Sequence, residues 1–349
     1  MIQNSTAACL LIQATLTPVG KLKRFQPAGF PEIGQVTYED GNDTVCIIDS
    51  AASMANHLET VCLDDPSSAT LHPDLKGLPH VACVTEDGGK TRTVLTTLTE
   101  GHRLASEYFI GTKSTLNGQP FRDVLNQEMG LKKLSEKKFF FYPESWGDIY
   151  RTVFEYDPNS LVHGILFARE GIKISRLLSA HHEAHDAKRV SSSGVKFDRI
   201  GKTLSGQPIF SVTQQTGNIV ATFVIDLALL RSYGRKGQGL TDARKQLLLE
   251  LALWKIQRLT SQPFRFRSGC YLQTTAVSAH LDREPISVPA VSIAAAIAAA
   301  DFPADRSPLG VFYPAADLYR QEDANKGKGG TSASTGGDES DEDDAGEES

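Results

Sequence analysis

The sequence predicts an α+β fold that carries long insertions. Strand-like runs of branched apolar residues alternate irregularly with amphipathic helical stretches, and polar segments at 64–93, 111–150 and 185–215 separate them. Of the 349 residues, 40% are hydrophobic, which is enough for a substantial core. The periodicity leaves open whether the sheet is parallel or antiparallel, and no repeat of fixed period is visible in the sequence.

The first half of the chain is predicted to contain three strands and two helices. A helix begins after Ser50, because a serine hydroxyl is a good N-terminal cap. Its predicted apolar face consists of Ala51, Met54, Ala55, Leu58 and Cys62. In chain order the elements are a strand at 7–15, a loop of turn residues and basic groups at 18–42, a strand at 45–48, the helix after Ser50, a strand at 94–98 and a short helix at 103–110.

The second half is predicted to contain two strands and one long helix. Residues 218–230 are rich in branched side chains and favour a strand, at least over their first half. A helix at 242–259 is the clearest of the chain, because Leu247, Leu251 and Trp254 recur with helical spacing. The segment Phe264–Arg267 alternates between phenylalanine and arginine and is typical of a short strand.

In that short strand, Arg265 and Arg267 are candidate contacts for a phosphate backbone. Side chains on the same face of a strand lie roughly 7 Å apart, close to the phosphate spacing of an extended single strand. An ordinary half-buried strand with a solvated basic face explains the same alternation equally well.

Residues 1–320 are predicted to form a single domain with insertions, and residues 321–349 a disordered acidic tail. The tail has no aromatic or branched aliphatic residue, so it cannot bury enough surface to fold. It contains ten acidic residues and two lysines, which leaves 34 basic and 32 acidic residues before it, a net charge of +2 against −6 for the whole chain. Any affinity for nucleic acid must therefore come from local clusters of charge.

The sequence favours a soluble cytoplasmic protein without a cofactor. The five cysteines are scattered and form no C-x-x-C pair, which is typical of reduced thiols in a core. No basic segment precedes the first apolar run, so a signal peptide is not expected. The longest apolar run, 293–300, is far shorter than the roughly 20 residues that a membrane span needs.

Three further clusters of polar residues could bind nucleic acid. Ser53, Asn56, His57 and Thr60 fall on one helix face without a carboxylate, which suits phosphate or ribose oxygens, although a solvated helix surface is the simpler interpretation. The loop at 18–42 interleaves basic with aromatic residues, as single-strand binding requires. Its residues of interest are Lys21, Lys23, Arg24, Phe25, Phe30 and Tyr38.

The third cluster is a glycine-rich basic loop at 231–240. Its glycines would let backbone N–H groups approach phosphates, and the helix that follows adds a partial positive charge. A mobile surface loop is the alternative. The basic residues of this loop are Arg231, Arg235 and Lys236.

Two other classes of site fit the sequence poorly. The Gly-Lys-Thr triplets at 89–91 and 201–203 lack the upstream glycine of a phosphate-binding loop, since Val84 and Lys196 occupy that position. On a helix His181 and His185 could share a metal, but Glu183 lies two residues after His181, whereas a zinc protease has its glutamate directly after the first histidine. No metal site is predicted, although this histidine cluster leaves that alternative open.

Several motifs, in order along the chain, resemble one known family. VCIIDSAASMANHLE at 45–59 is similar to a DS-x-x-S-x-ANRLE signature, QPAGFPEIGQVTY at 26–38 fits QP-x-GFP-x-IG-x-x-x-Y, and GHRLA at 101–105 resembles P-H-R-L-A with glycine in place of proline. Arg176 and Ser179 match an R-x-x-S pattern. The family is the backbone subunit of type I-U, or I-G, Cascade complexes, the "Cas-seven" branch of the RAMP superfamily of CRISPR-associated proteins.

The resemblance implies a fold and a role. The fold is a ferredoxin-like, RRM-type core elaborated into a palm, fingers and a thumb. The role is structural: several copies of the subunit bind along one CRISPR RNA and present its bases to target DNA, so sequence specificity belongs to the RNA. Implied partners are the CRISPR RNA, target DNA, further copies in a helical filament, the large and RNA-processing subunits of Cascade, and a helicase-nuclease.

Two alternatives remain open from the sequence. A metal-dependent ribonuclease of the same superfamily would use an aspartate near the first helix, where Asp49 lies. A stand-alone RNA-binding module would stay monomeric on RNA.

The resemblance and the clusters together predict a set of RNA-binding residues, of which Phe30 is the candidate wedge between bases. They are Lys23, Arg24, Gln26, Phe30, Ser50, Ser53, Asn56, His57, His102, Arg103, Arg176, Ser179, His182, Lys188, Arg189, Arg231, Arg235, Lys236, Arg265 and Arg267.

Overall fold

The chain folds into an α+β structure, as the sequence predicts. The structure is a computed structural model that describes residues 2, 5–20, 22–29, 34–64, 70–193, 212–235, 237–303 and 305–318. The predicted acidic tail and the candidate residues Phe30 and Lys236 lie outside the described residues.

The bounds of the elements are as follows. The strands are β1 (Cys9–Pro18), β2 (Thr37–Asp40), β3 (Asp43–Asp49), β4 (Val81–Asp87), β5 (Lys90–Thr96), β6 (Thr115–Leu116), β7 (Gln119–Pro120), β8 (Lys132–Ser135), β9 (Lys138–Phe140), β10 (Ile165–Phe167), β11 (Ile172–Ile174), β12 (Leu178–Ser193), β13 (Val212–Asp226), β14 (Phe264–Arg267), β15 (Cys270–Leu281), β16 (Glu284–Ile286) and β17 (Leu309–Phe312). The helices are α1 (Ala51–Thr60), α2 (Glu107–Ile110), α3 (Phe121–Glu128), α4 (Ser145–Tyr156), α5 (Pro158–His163), α6 (Leu227–Ser232), α7 (Asp242–Thr260) and α8 (Ile293–Ala299).

The main sheet is antiparallel and contains a ferredoxin-like core. Its strand order is β14-β15-β1-β13-β12-β3-β2, with β16 paired to β15. The core runs along the chain as β1, α1, β12, β13, α7, β15, and its four strands lie in the order β15-β1-β13-β12. This is the arrangement of a βαββαβ fold, so the RRM-type core that the resemblance implies is confirmed.

The largest insertion lies between α1 and β12 and forms a second sheet together with β17, which comes from the C-terminal part of the chain. That sheet has the order β5-β4-β17-β6-β7, and only the pair β4 and β17 is parallel. Two separate hairpins, β8-β9 and β10-β11, belong to the same insertion. The predicted polar segments at 64–93 and 111–150 therefore contain regular structure as well as loops.

The core forms between the main sheet and its helices. In β1 the residues Leu10, Ile12, Ala14 and Leu16 are buried while Gln13 is exposed, as a half-buried strand requires. From Leu247 to Ile256 every residue of α7 is buried, because this helix packs against α1, α5, α6 and α8 as well as β13.

Most local predictions are confirmed, and one needs correction. Ser50 caps α1, since the Ser53 N–H donates to its hydroxyl at 3.1 Å. The strand predicted for at least the first half of 218–230 is confirmed as far as Asp226, whose carboxylate caps α6 by accepting the Leu229 N–H at 2.8 Å. The histidine cluster at 181–186 lies on strand β12 and not on a helix, so the helical spacing considered for a shared metal does not exist.

Four of the five cysteines are buried and all are free, as predicted. In the described part of the chain, no helix has the length and apolar character that a membrane span requires.

Candidate nucleic-acid interface

A compact polar cluster forms where β3 ends and α1 begins. Asp49 is buried, and its Oδ1 accepts the Ser50 N–H at 2.9 Å. Its Oδ2 accepts from His57 Nε2 at 3.1 Å and pairs with the Arg267 guanidinium at 2.8 Å. The polar face of α1 itself contains no carboxylate, as predicted, but β3 places one next to it. The strand supplies the carboxylate, so helix periodicity alone could not find it.

The hydrogen bond from His57 and the positive charge of Arg267 keep the Asp49 carboxylate ionised. Burial raises the pKa of its carboxyl, but the hydrogen bond from His57 and the charge of Arg267 outweigh burial, so the pKa lies below its ordinary value. Arg267 also donates to the carbonyl oxygen of Ile48 at 2.7 Å. The guanidinium of Arg267 thus ties β14 to the end of β3, a structural role that the alternation of the sequence does not reveal.

The two phenylalanines of β14 close over this cluster. The ring centroids of Phe264 and Phe266 lie 5.4 and 5.3 Å from that of His57, in edge-on geometry. Arg265 is exposed on the opposite face, stacks on Tyr271 at 5.6 Å and donates to Ser268. The predicted separation of phenylalanines from arginines is confirmed for Arg265, whereas a bulge between Arg265 and Arg267 turns Arg267 inward.

The N-terminal loop packs onto the same cluster through its middle. Phe25 is fully buried and pairs with Gln215, so it serves the core rather than an exposed stack. The Gln26 N–H donates to Gly269 O at 2.9 Å, and a Cβ added to Gly269, whose φ is +76°, would lie 2.9 Å from the Gln26 side chain. Lys23 and Arg24 are exposed just before this contact.

His182, on β12, is the most deeply buried member of the cluster. Its ring is 0% exposed and lies 4.5 Å from that of Phe266, and neither ring nitrogen has a hydrogen-bond partner among the described residues. Burial lowers its pKa to about 3, with Arg267 and His57 adding to the effect and Asp49 opposing it. The imidazole is therefore neutral at neutral pH and packs as an apolar group.

We expect His182 to make the fold sensitive to acid. Below its ordinary pKa of 6.5 the unfolded histidine binds a proton that the folded one does not, so stability falls as pH decreases from about 6.5 towards 3. His182→Leu should reduce this loss by up to about 1.4 kcal/mol per pH unit, measured by urea unfolding between pH 7 and 4.5. His181→Leu, on the exposed face of the same strand, is the matched control. Equal pH dependence in the wild type and His182→Leu would contradict the assignment.

Arg103 is buried and engaged within the chain. Its guanidinium makes two hydrogen bonds to Glu59, at 2.6 and 2.9 Å, and a third to Gly164 O at 3.3 Å. Asn159 donates to the same Glu59 carboxylate at 2.7 Å and accepts from the fully buried Lys255. This network joins α1, the turn at Arg103, α5 and α7 in the interior of the protein.

A basic cleft lies directly outside this network, in the insertion between α1 and β12. Its volume is about 900 Å³, and its walls come from the segments 101–110, 163–169 and 173–176, with Arg122. Arg169, Lys173 and Arg176 line it without an ion pair to any carboxylate in the described ranges. Glu107 is the only carboxylate among the described lining residues. An anionic ligand is the natural occupant of such a cleft.

The cleft brings together three of the predicted contacts from two distant motifs. His102 is exposed on its rim, Arg103 forms part of its floor, and Arg176 reaches from the other wall to within 3.4 Å of Ala51 O at the start of α1. Lys173 and Arg169 were not predicted. Little in the sequence indicates their position in the cleft, because most lysines and arginines in short strands and turns are simply exposed to solvent.

The remaining predicted residues are distributed over other surfaces. Lys188 and Arg189 are exposed along β12, and Ser179 is half-buried near the start of that strand. Asn56 is exposed on α1. Arg231 donates to the carbonyl oxygens of Ser5 and Ala7 at 2.8 and 2.9 Å and so fastens the N-terminal segment.

The glycine-rich loop is closed tightly on itself. Leu240 N–H donates to Tyr233 O at 2.8 Å, and a Cβ on Gly239, whose φ is +83°, would lie 2.2 Å from that oxygen. Gly239 also packs against Gly147 of α4. Gly234 and Gly239 therefore serve backbone packing, and Arg235 remains exposed on the loop.

Comparison with known proteins identifies a family that this chain matches. The family model described as CRISPR-associated protein GSU0053 matches residues 10–189, about half of the chain. The search of curated proteins finds no match. A solved chain of a CRISPR RNA-guided surveillance complex in a pre-nicking state aligns with 78% of this chain and 77% of its own length, at 12% identity and a TM-score of 0.37.

A second solved structure, Csc2 of Thermofilum pendens, aligns with 92% of this chain and 75% of its own length, at 12% identity and a TM-score of 0.30. The segment that the family model matches contains the N-terminal loop, Asp49 and α1, the turn at Arg103 and most of β12. The chain belongs to the CRISPR-associated protein GSU0053 family, which confirms the family resemblance of its sequence motifs.

Proposed function

We propose that this protein is the CRISPR RNA-binding backbone subunit of a type I effector complex, or Cascade. Copies of it bind along the spacer RNA as a helical filament and present the bases for pairing with target DNA in antiviral defence. The large subunit, the RNA-processing subunit and a helicase-nuclease complete the assembly. Family membership supports this role, and the basic cleft carries the argument for RNA as the ligand.

The cleft suits a phosphate backbone better than a particular base sequence. Its unpaired cations, Arg169, Lys173 and Arg176, come from a turn, a strand and a loop, so they form an extended surface and not a single anion pocket. Cations supply affinity that does not depend on sequence and falls with salt. A backbone subunit needs this property, because the RNA and not the protein carries the sequence information.

The Asp49 cluster supports a structural role over a ribonuclease. A catalytic aspartate must direct an accessible lone pair at its metal, whereas Asp49 is buried and both of its oxygens accept hydrogen bonds within the chain. The Arg267 cation next to the carboxylate would also repel a divalent metal ion. The described ranges contain no group of three or more His, Cys, Asp or Glu side chains placed to hold a metal ion.

The test is RNA binding by a variant of the cleft. Lys173→Ser/Arg176→Ser should weaken binding to a labelled single-stranded RNA at least about tenfold, because each hydrogen bond between charged groups contributes roughly 1.5–3 kcal/mol. The slope of log affinity against log salt should decrease by about 1.4, since each lost phosphate contact on a single strand removes about 0.7. Fluorescence anisotropy at several salt concentrations measures both quantities.

Lys90→Ser/Arg92→Ser is the matched control, because it removes two exposed cations from β5 in the second sheet. Equal affinities for the cleft variant and this control would contradict the proposed site. Recovery of shortened RNA after incubation of the wild type with magnesium or manganese would favour the ribonuclease instead.

A further inference from the structure

The β8-β9 hairpin exposes apolar side chains that the fold does not use. Its two strands pair only with each other, and every residue of β8 is exposed. Leu134 is 66% exposed, Phe140 42% and Tyr142, just after β9, 48%. An isolated two-stranded hairpin is marginally stable by itself. A cluster of exposed large apolar side chains on such an element indicates a binding surface.

The same hairpin is strongly basic. Residues 132–140 contain four lysines and one carboxylate, Glu136, which gives a net charge of +3 on nine residues. None of these lysines forms an ion pair within the described ranges. Residues 1–320 carry a net charge of only +2, so the hairpin accounts for all of the excess positive charge in this part of the chain. Its partner is therefore expected to be anionic.

The aromatic and basic groups lie together on one face of the hairpin. Lys132 pairs directly with Phe140 across the two strands, and side chains of such pairs point to the same face. The rings of Phe140 and Tyr142 meet edge-on with centroids 4.9 Å apart. The ammonium of Lys132 lies 5.4 Å from the centroid of Tyr142. The result is a pair of accessible rings bordered by ammonium groups.

This combination fits a single-stranded nucleic acid. Single strands offer unpaired bases that stack on aromatic rings and phosphates that bind lysines, and they do so without regard to sequence. A duplex hides its bases within the stack and would leave the rings exposed. An acidic protein surface would satisfy the lysines but not the rings. Stacking rings and ammonium groups do not require a 2′-hydroxyl, so a DNA strand satisfies all of these contacts.

The hairpin adjoins the basic cleft. Arg169, which lines the cleft, donates to the carbonyl oxygen of Glu136 at the tip of the hairpin at 2.7 Å. We propose that the β8-β9 hairpin is a second binding surface, which holds single-stranded DNA next to the RNA in the cleft through base stacking on Phe140 and Tyr142 and phosphate contacts to its lysines. This inference rests on the proposed function, since the cleft is assigned to RNA.

The experiment measures DNA binding by protein that already carries RNA. Wild-type protein is saturated with an unlabelled single-stranded RNA and then titrated onto fluorescein-labelled oligothymidine DNA, with anisotropy as the readout. Phe140→Ala/Tyr142→Ala should weaken DNA binding at least about tenfold, because each stacked base contributes roughly 1–3 kcal/mol. Lys137→Ser/Lys138→Ser should lower the salt slope for DNA by about 1.4. RNA loading should stay at the wild-type level in both variants.

The Lys90→Ser/Arg92→Ser variant is again the control of equal charge, and it should bind DNA as the wild type does. Wild-type DNA affinity in both hairpin variants would overturn the proposal and leave a protein as the partner of this surface. An equal loss of RNA and DNA binding would also overturn it, because the hairpin would then be part of the RNA path. If the wild type fails to load RNA, the proposed function fails, and titration of the RNA-free proteins still decides whether the hairpin binds DNA.

Discussion

Replacing Glu59 with alanine should lower the free energy of unfolding by about 3–5 kcal/mol, which is the cost of leaving a buried charge without its partner. Glu59 is 3% exposed and accepts two hydrogen bonds from Arg103 and one from Asn159. Without this carboxylate the Arg103 guanidinium would remain buried and unpaired. Urea unfolding at pH 7 measures the effect, and a loss below about 1 kcal/mol would show that the network is not buried as described.

A double variant separates the cost of the broken pair from the value of the pair itself. Glu59→Leu/Arg103→Met replaces both charges with apolar groups and should recover much of the lost stability, since a buried ion pair often contributes little over apolar side chains of similar size. Glu59→Gln keeps the shape and some hydrogen bonds and should fall between the wild type and Glu59→Ala.

The same double variant tests the predicted role of Arg103 in RNA binding. The resemblance implies that Arg103 contacts RNA, whereas its side chain is only 10% exposed and is neutralised by Glu59. We expect Glu59→Leu/Arg103→Met to bind RNA within about threefold of the wild type, because a paired charge attracts phosphate weakly. A tenfold loss would restore Arg103 as a direct contact.

The network also explains why α7 carries a lysine in its most buried turn. Lys255 is fully buried, and burial lowers its pKa, while Glu59 and Asp157 act against that effect. Its ammonium donates to Asn159 and lies 2.8 Å from His163 Nε2. Burial followed by the charge of Lys255 lowers the pKa of His163 well below its ordinary value, so His163 is neutral and accepts from Lys255.

Elements with a local signal were predictable from the sequence. The cap of α1 at Ser50 depends on residues three positions apart, and the assignment of β14 as a strand depends on four consecutive residues. Interactions at this range follow from propensity and periodicity, so both were recovered. The order of motifs along the chain recovered the family.

Interactions between distant segments were not predictable. Arg103 and Glu59 are 44 residues apart, and Arg267 and Asp49 are separated by more than 200, so no local pattern records either pair. The same limit explains β12: a polar run of histidines fits a helix or a strand, and only pairing with β13 and β3 decides it. The basic cleft was partly predicted, because a motif can identify a residue such as Arg176 without its neighbours in space.

The second large effect that we expect is stepwise assembly on RNA. A backbone subunit that reads phosphates has no reason to stop at one copy, since each further segment of RNA offers the same contacts as the first. Binding of a stand-alone module would instead saturate at a fixed stoichiometry, however long the RNA becomes. Stoichiometry therefore separates the two functions more directly than affinity does.

Mass photometry of the purified protein with CRISPR-length RNAs of increasing length is the decisive measurement. The proposed function predicts that the mass of the complex increases in discrete steps of one protein mass, 37.9 kDa, as segments are added to the RNA. Lys173→Ser/Arg176→Ser should require higher protein concentration to reach the same steps. A complex that stays at one protein per RNA at every length would contradict the proposal that this protein forms the backbone of a Cascade.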